Sequence, residues 1–219
     1  MNDGRAEQYA DGNGTSLPET RKVRRRRCVL QRCGKKTRGS LLEKTKDADA
    51  KFDLQPLFAN CRMNLGLVER QRRNLDQVRI LYAEAQDQRR KALPTRAKDR
   101  AMRRDLAKGF YNFANLAIDN SDEAGLRENI DEAIKRLEEM LAENQRDLDD
   151  QYLLSLCYRL RADLFAALAP GDSQFGPAAI DDYSQPERIV QKLSDLNPSV
   201  TKYFRELVRL SVNLGQLSA

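Results

Sequence analysis

Four cysteines are the residues of this chain whose type and spacing could hold a metal. Cys28 and Cys33 are separated by four residues, and this spacing resembles half of a zinc site. A closed structural site needs four ligands, but Cys61 and Cys157 are distant and the 219 residues include no histidine. We therefore expect no metal site, and the uneven spacing also argues against a disulfide scaffold and for a reducing cytoplasm.

Catalytic chemistry has few residues from which to build a site. Without histidine the chain cannot form a Ser-His-Asp triad or a Cys-His pair. Neither type of glycine-rich phosphate loop occurs in the sequence. The many carboxylates between residues 129 and 150 alternate with Lys135, Arg136 and Arg146, which is typical of a solvated helix face. We expect no enzyme activity and no cofactor.

The excess positive charge lies near the N-terminus. Residues 21–39 contain ten basic and no acidic residues, and residues 1–20 are polar, so we predict that residues 1–50 form a disordered basic arm. Its charge could attract nucleic acid or another polyanion without sequence preference, although the basic stretch itself, residues 21–39, has no aromatic residue for base stacking. The six side chains that we assign to this interaction are Arg24, Arg25, Arg26, Arg27, Lys35 and Lys36.

The rest of the chain, residues 51–219, has the periodicity of α-helices. Apolar residues recur at steps of three and four on both sides of a turn at residues 71–74, and the pattern resumes near Met102. Further helices are predicted after residues 119–125, over residues 151–168, from about Pro186 in the first turn of its helix, and from residue 200. No segment indicates a strand, and no run is apolar enough to cross a membrane.

These predicted helices repeat. Four apolar residues align when the odd-numbered helices are superposed, and each lies eight residues before a second aligned position. The aligned pairs are Phe58 with Gly66, Leu106 with Ala114, Leu153 with Arg161, and Leu207 with Gly215. The string "NLG" thus occurs in the first and last odd helices, and repetition at this interval is typical of a helical solenoid.

The first repeat resembles a tetratricopeptide repeat (TPR). Leu65-Gly66 matches the L-G of that family's first helix, and Val78-x3-Tyr82 matches the A-x3-F of its second, with Gly66 allowing close approach. Arg62 and Glu69 replace the family's aromatic residues, and later repeats match less well. Residues 54–219 also resemble the repeat arrays that follow kinase domains in planctomycete-type bacterial serine/threonine kinases, but this chain has no kinase motif.

The resemblance implies an all-α fold in which antiparallel helix pairs stack as a short TPR-like α-solenoid. It also implies a non-catalytic scaffold that binds a peptide or helix of a partner protein in a groove. Seven residues fall at the family's groove-lining positions: Met63, Lys108, Tyr111, Asn115, Tyr158, Arg209 and Gln216.

Other surfaces of the chain suggest further hypotheses. Polyanion binding through residues 21–40 is the competing function. A second basic stretch, residues 89–108, could assist it, but we interpret this stretch as a helix junction exposed to water, whose charges the acidic residues between 122 and 150 could screen or pair with. Unless another element caps it, an unpaired last helix would expose Leu207, Leu210 and Leu214, which suggests self-association through that helix or a missing continuation of the array.

Overall fold

The computed structural model describes residues 48–172 and 174–217, and this part of the chain contains seven α-helices and no strand. The helices are α1 (Ala48–Gln71), α2 (Leu75–Ala92), α3 (Arg100–Asp119), α4 (Glu123–Glu143), α5 (Leu148–Leu168), α6 (Phe175–Leu196) and α7 (Thr201–Leu217), and a 3-10 turn at Leu93–Thr95 follows α2. The fold is all-α, as predicted. Residues 1–47 of the predicted arm, with Arg24–Arg27, Lys35 and Lys36, lie outside the described residues, whereas its last three residues, 48–50, belong to α1.

The first two helix pairs repeat in their backbone as well as in their sequence. Each pair is joined by a three-residue turn whose middle residue has a positive φ, 61° at Arg73 and 55° at Ser121. In both turns the next amide bonds back to a carbonyl five residues earlier, from Asn74 to Glu69 and from Asp122 to Ala117. The turns are 48 residues apart, which matches the spacing between Gly66 and Ala114.

Aspartates define the beginnings of three helices. Asp99, Asp122 and Asp147 precede α3, α4 and α5, and each side chain accepts a hydrogen bond from a backbone amide three residues later, at 3.1, 2.9 and 3.0 Å. Such caps satisfy amides that have no acceptor within the helix and stabilise each helix by about 1 kcal/mol. Local sequence therefore sets where these helices begin.

The helices pack mainly against their neighbours in the chain. Each of three apolar clusters is shared by three successive helices: the first by α1, α2 and α3, the second by α3, α4 and α5, and the third by α5, α6 and α7. The odd helices α3 and α5 therefore take part in two clusters each. The apolar core of the described residues therefore consists of three clusters that follow one another along the chain, and not of one central core.

Helix α6 begins about ten residues earlier than the sequence pattern predicted. It starts at Phe175, so Pro177 is the proline in its first turn, where the missing amide hydrogen costs nothing. Pro186, predicted for that position, lies inside the helix and is almost fully buried. The ring removes one intrahelical hydrogen bond, and the tightly packed surroundings of α6 keep the helix continuous.

The two "NLG" glycines have different roles. A Cβ on Gly66 would lie 2.5 Å from Cε1 of Tyr82, so α1 and α2 approach as closely as the resemblance implied. A Cβ on Gly215 would meet nothing within 4 Å. The repeated string marks close helix packing only in the first repeat, because no described helix follows α7.

Candidate partner-binding site

Arginine–carboxylate pairs join the odd-numbered helices to one another. Each junction between successive odd helices has at least one such pair, with partners 43 to 49 residues apart in the three examples Arg70–Asp119, Arg104–Asp147 and Arg159–Glu206. Glu206 is 5% exposed, and its carboxylate lies 2.5 Å from the Arg159 guanidinium. A buried carboxylate requires such a partner. The pairs therefore fix how the odd helices lie against each other.

The junction of α3 and α5 contains the largest group of these charges. Asp150 is fully buried and contacts both Arg104 and Arg100, the latter at 2.6 Å. Burial opposes the ionisation of Asp147, but the Asp150 amide and the two guanidinium groups outweigh it and lower the pKa of Asp147. These arginines belong to the basic stretch 89–108. Its predicted pairing with acidic residues of the segment 122–150 is thus confirmed for this junction.

An open cavity of about 470 Å³ lies where the α3–α4 turn meets α5. Six of its lining residues are aliphatic: Ala117, Ile118, Leu126, Leu160, Leu164 and Ala167. The other four are polar or acidic: Ser121, Asp122, Glu123 and Asp163. This volume is within the range of sites that bind ligands or side chains. None of the ten lining residues is basic, so the cavity suits an aliphatic group that ends in a positive charge.

Asp163 connects this cavity to the last two helices. Its carboxylate lies 2.6 Å from the Arg159 guanidinium, and it accepts hydrogen bonds from the Tyr183 hydroxyl at 2.6 Å and the Asn213 amide at 3.2 Å. Burial, reinforced by the bond to Asp163, raises the pKa of Tyr183 and keeps the phenol protonated. The carboxylate is thereby held in one orientation, with about a third of its surface exposed.

The predicted groove residues differ in their exposure. Met63 is only 4% exposed and packs in the apolar cluster of α1 and α2. It was predicted to line the groove, but the structure places it in the core. The Tyr158 hydroxyl donates to the Glu138 carboxylate of α4, and burial raises the pKa of Tyr158. Lys108, Arg209 and Gln216 are exposed on α3 and α7.

Two of the predicted residues are joined by a hydrogen bond. The Asn115 side-chain amide donates to the Tyr111 carbonyl at 2.8 Å, both residues are half-buried on α3, and burial raises the pKa of Tyr111. The carbonyl of Asn115 accepts from Arg70 of α1 at 3.2 Å, so this pair lies at the α1–α3 junction. None of the seven predicted residues lines the cavity.

Sequence reasoning missed the acidic side chains of the cavity. Asp122 and Glu123 were interpreted only as turn residues and as members of the acidic segment 122–150, and their position at the start of a helix is ordinary for acidic residues. Asp163 stands next to an apolar helical stripe and carries no local signal. Its role depends on Tyr183 and Asn213, which are 20 and 50 residues away in the chain.

No group of three or more cysteine, aspartate or glutamate side chains is placed to hold a metal in the part of the chain that the structure describes. Cys28 and Cys33 lie outside that part. Cys157 is fully buried, and burial raises the pKa of its thiol. Within the described ranges, no helix combines the length and the apolar character needed to cross a membrane.

Comparison with known proteins assigns the chain to no family. No protein-family model matches it, and no curated protein is significantly similar to it. The function must therefore be argued from the helices, the ion pairs and the cavity themselves.

Proposed function

We propose that this chain is a non-catalytic cytoplasmic adaptor, a short TPR-like α-solenoid that binds a peptide or helix of a partner protein. The cavity between the α3–α4 turn and α5 is the observation that carries the proposal. It offers aliphatic walls for a buried side chain and the carboxylates of Asp122 and Glu123 for a positive charge, beside Asp163, which already pairs with Arg159. The partner segment that it fits carries a lysine or an arginine beside an aliphatic residue.

The packing of the helices supports a repeat array. Two turns of the same backbone conformation are 48 residues apart, and the apolar clusters are each shared by three successive helices. In such arrays each repeat contacts its neighbours, and the surface between repeats is used for binding. The resemblance of the first repeat to a TPR supports the same proposal.

Filling the cavity tests this function. Ala167 lines the cavity and is exposed, so Ala167→Trp would occupy its volume while leaving the core unchanged. We expect the full-length variant to lose the protein partners that the unchanged chain captures from cell lysate at moderate salt. The measurement is quantitative mass spectrometry of the captured proteins.

A matched control uses another exposed helical alanine. Ala83 lies on α2 and does not line the cavity, so Ala83→Trp should retain the same partners. Far-UV circular dichroism should show unchanged helix content for both variants. Partners that remain bound to Ala167→Trp at the original level would contradict the proposed site.

Polyanion binding by the arm is a second candidate function. The ten basic residues between positions 21 and 39, with no acidic residue among them, favour it. The full chain should then bind a fluorescent single-stranded oligonucleotide with an affinity that falls steeply as salt rises, and replacing Arg24–Arg27 by glutamine should weaken this binding. Salt-independent binding, or binding unchanged by the replacements, would contradict it.

A further inference from the structure

The last helix has an apolar stripe on the face that its neighbours leave uncovered. Phe204, Val208 and Val212 follow one another at steps of four on α7, with 61%, 48% and 53% of their surfaces exposed. The opposite face carries Tyr203 and Leu210, which are 5% and 0% exposed in the cluster shared with α5 and α6. The expected exposure of Leu207, Leu210 and Leu214 is therefore wrong, because α5 and α6 pack against that face and leave only Leu207 and Leu214 half-buried. The stripe is therefore a second apolar surface of the helix, in addition to its packed face.

The repeat register shows what covers this position elsewhere. Val208 follows Leu207, as Ala59, Ala107 and Leu154 follow the three aligned residues of α1, α3 and α5. Those three equivalents are 1%, 0% and 6% exposed, because neighbouring helices pack over them. Only at α7, among the described odd helices, is the position exposed. The surface that fits the stripe is therefore that of another helix.

Charge at the edge of the stripe determines which helix it suits. Arg205 lies three residues before Val208, and Arg209 three residues before Val212, so both are surface neighbours of the stripe. Arg209 has one distant partner, Glu206 at 3.8 Å, whose carboxylate already contacts Arg159. At the other edge, Ser211 donates to the Glu187 carboxylate at 3.4 Å. The edge that carries Arg205 and Arg209 is thus basic.

We propose that this stripe, defined as Phe204, Val208 and Val212 with Arg205 and Arg209, binds an amphipathic α-helix of another protein whose apolar face is flanked by acidic side chains. A second copy of this chain fits less well, because antiparallel pairing of two α7 helices would place their arginine edges side by side. The basic arm of the chain is disfavoured for the same reason. No residue of the stripe lines the cavity, so the two sites are separate.

Two synthetic helices of about 18 residues test the proposal. Both carry the same leucine stripe, one with glutamates and the other with lysines at the flanking positions. Fluorescence anisotropy with the full chain should show the glutamate peptide binding about tenfold more tightly than the lysine peptide. Arg205→Glu with Arg209→Glu should reverse this preference, whereas Arg205→Lys with Arg209→Lys should keep it.

Substitutions of the apolar residues and the arm separate the remaining outcomes. Val208→Asp should abolish binding of both peptides, and Ile80→Asp, at a residue of similar exposure (52%) on α2, should leave it unchanged. Binding that survives Val208→Asp but is lost when Arg24–Arg27 become glutamine would place the peptide on the arm and overturn the proposal. Equal affinity for both peptides, no binding, or a dimer in sedimentation that Val208→Asp dissociates would also overturn it.

Discussion

At the scale of single residues, Gly66 is the position where the close approach of two helices depends on the absence of a side chain. An added Cβ would overlap the ring of Tyr82, which is fully buried and packs edge-on against Phe113 at 5.6 Å between ring centroids. The ring cannot move without disturbing α3. The glycine that sequence analysis selected is thus a packing residue.

We predict that Gly66→Ala lowers the free energy of unfolding by about 1–3 kcal/mol, because the overlap forces a backbone shift. The measurement is urea denaturation followed by circular dichroism. Gly215→Ala is the control, since it meets no neighbour and should be neutral or stabilising by up to about 1 kcal/mol through helix propensity. Equal effects at both positions would contradict this account of Gly66.

Tyr82 provides a second prediction at this scale. Its hydroxyl is buried and has no hydrogen-bond partner in the structure, and burial raises the pKa of Tyr82 to about 12. Replacing it with phenylalanine removes the unsatisfied hydroxyl and keeps the ring. We expect Tyr82→Phe to be neutral or to stabilise the fold by about 1 kcal/mol. A loss of stability in the same urea titration would show that the hydroxyl has a partner.

At the scale of helices, the junction of α3 and α5 depends on arginines that look alike in sequence. Arg103 and Arg104 are adjacent on α3, but Arg103 pairs with the exposed Glu143, whereas Arg104 contacts the fully buried Asp150. An exposed pair contributes little to stability, and a buried carboxylate that loses a partner is costly. The two arginines therefore form a matched pair for mutagenesis.

We predict that Arg104→Met destabilises the protein by about 3 kcal/mol, and that Arg103→Met changes its stability by less than about 1 kcal/mol. Thermal and urea unfolding of the two variants provide the measurement. Losses of similar size would mean that the helix contact, and not the buried carboxylate, determines the stability of this junction.

The same junction should make stability depend on pH. Because the pKa of Asp147 is lowered in the folded protein, the unfolded chain binds more protons at acidic pH, and folding is weakened there. The contribution is complete above the ordinary aspartate pKa and is lost as the pH falls from about 5 towards 2. Asp147→Asn, which keeps a capping side chain, should reduce this acid sensitivity. An unchanged slope of unfolding free energy against pH would exclude Asp147 as its source.

At the scale of the whole molecule, the overlapping clusters imply that stability is local. If helices depend on their neighbours alone, a destabilised end unfolds without the other end. We predict that Gly66→Ala increases amide hydrogen exchange in α1 and α2 and leaves α6 and α7 unchanged. Leu193→Ala, at a fully buried residue of α6, should do the reverse. Hydrogen-exchange mass spectrometry measures both, and uniform acceleration would contradict a repeat array.

Much of the fold follows from the sequence alone. The apolar period of the helices, the turn residues near positions 72–74 and 120–122, and the small residue at position 66 are local signals, and local backbone physics determines them. Seven helices were predicted, and the structure describes seven. The predicted beginning of α6 was wrong because both Pro177 and Pro186 can stand in the first turn of a helix. Pro186 lies inside α6, and its place there depends on the packing around the helix.

Tertiary structure decided the features that join distant parts of the chain. Sequence could count the arginines of α3 but not assign Arg104 to Asp150 and Arg103 to Glu143, because these partners meet only when α5 and α4 pack beside α3. The sequence pattern also placed Met63 on a helix face, but it did not show that this face is buried. The cavity around Asp163 and the exposed stripe on α7 likewise depend on which neighbour covers each helix, and periodicity along a single helix does not carry that information.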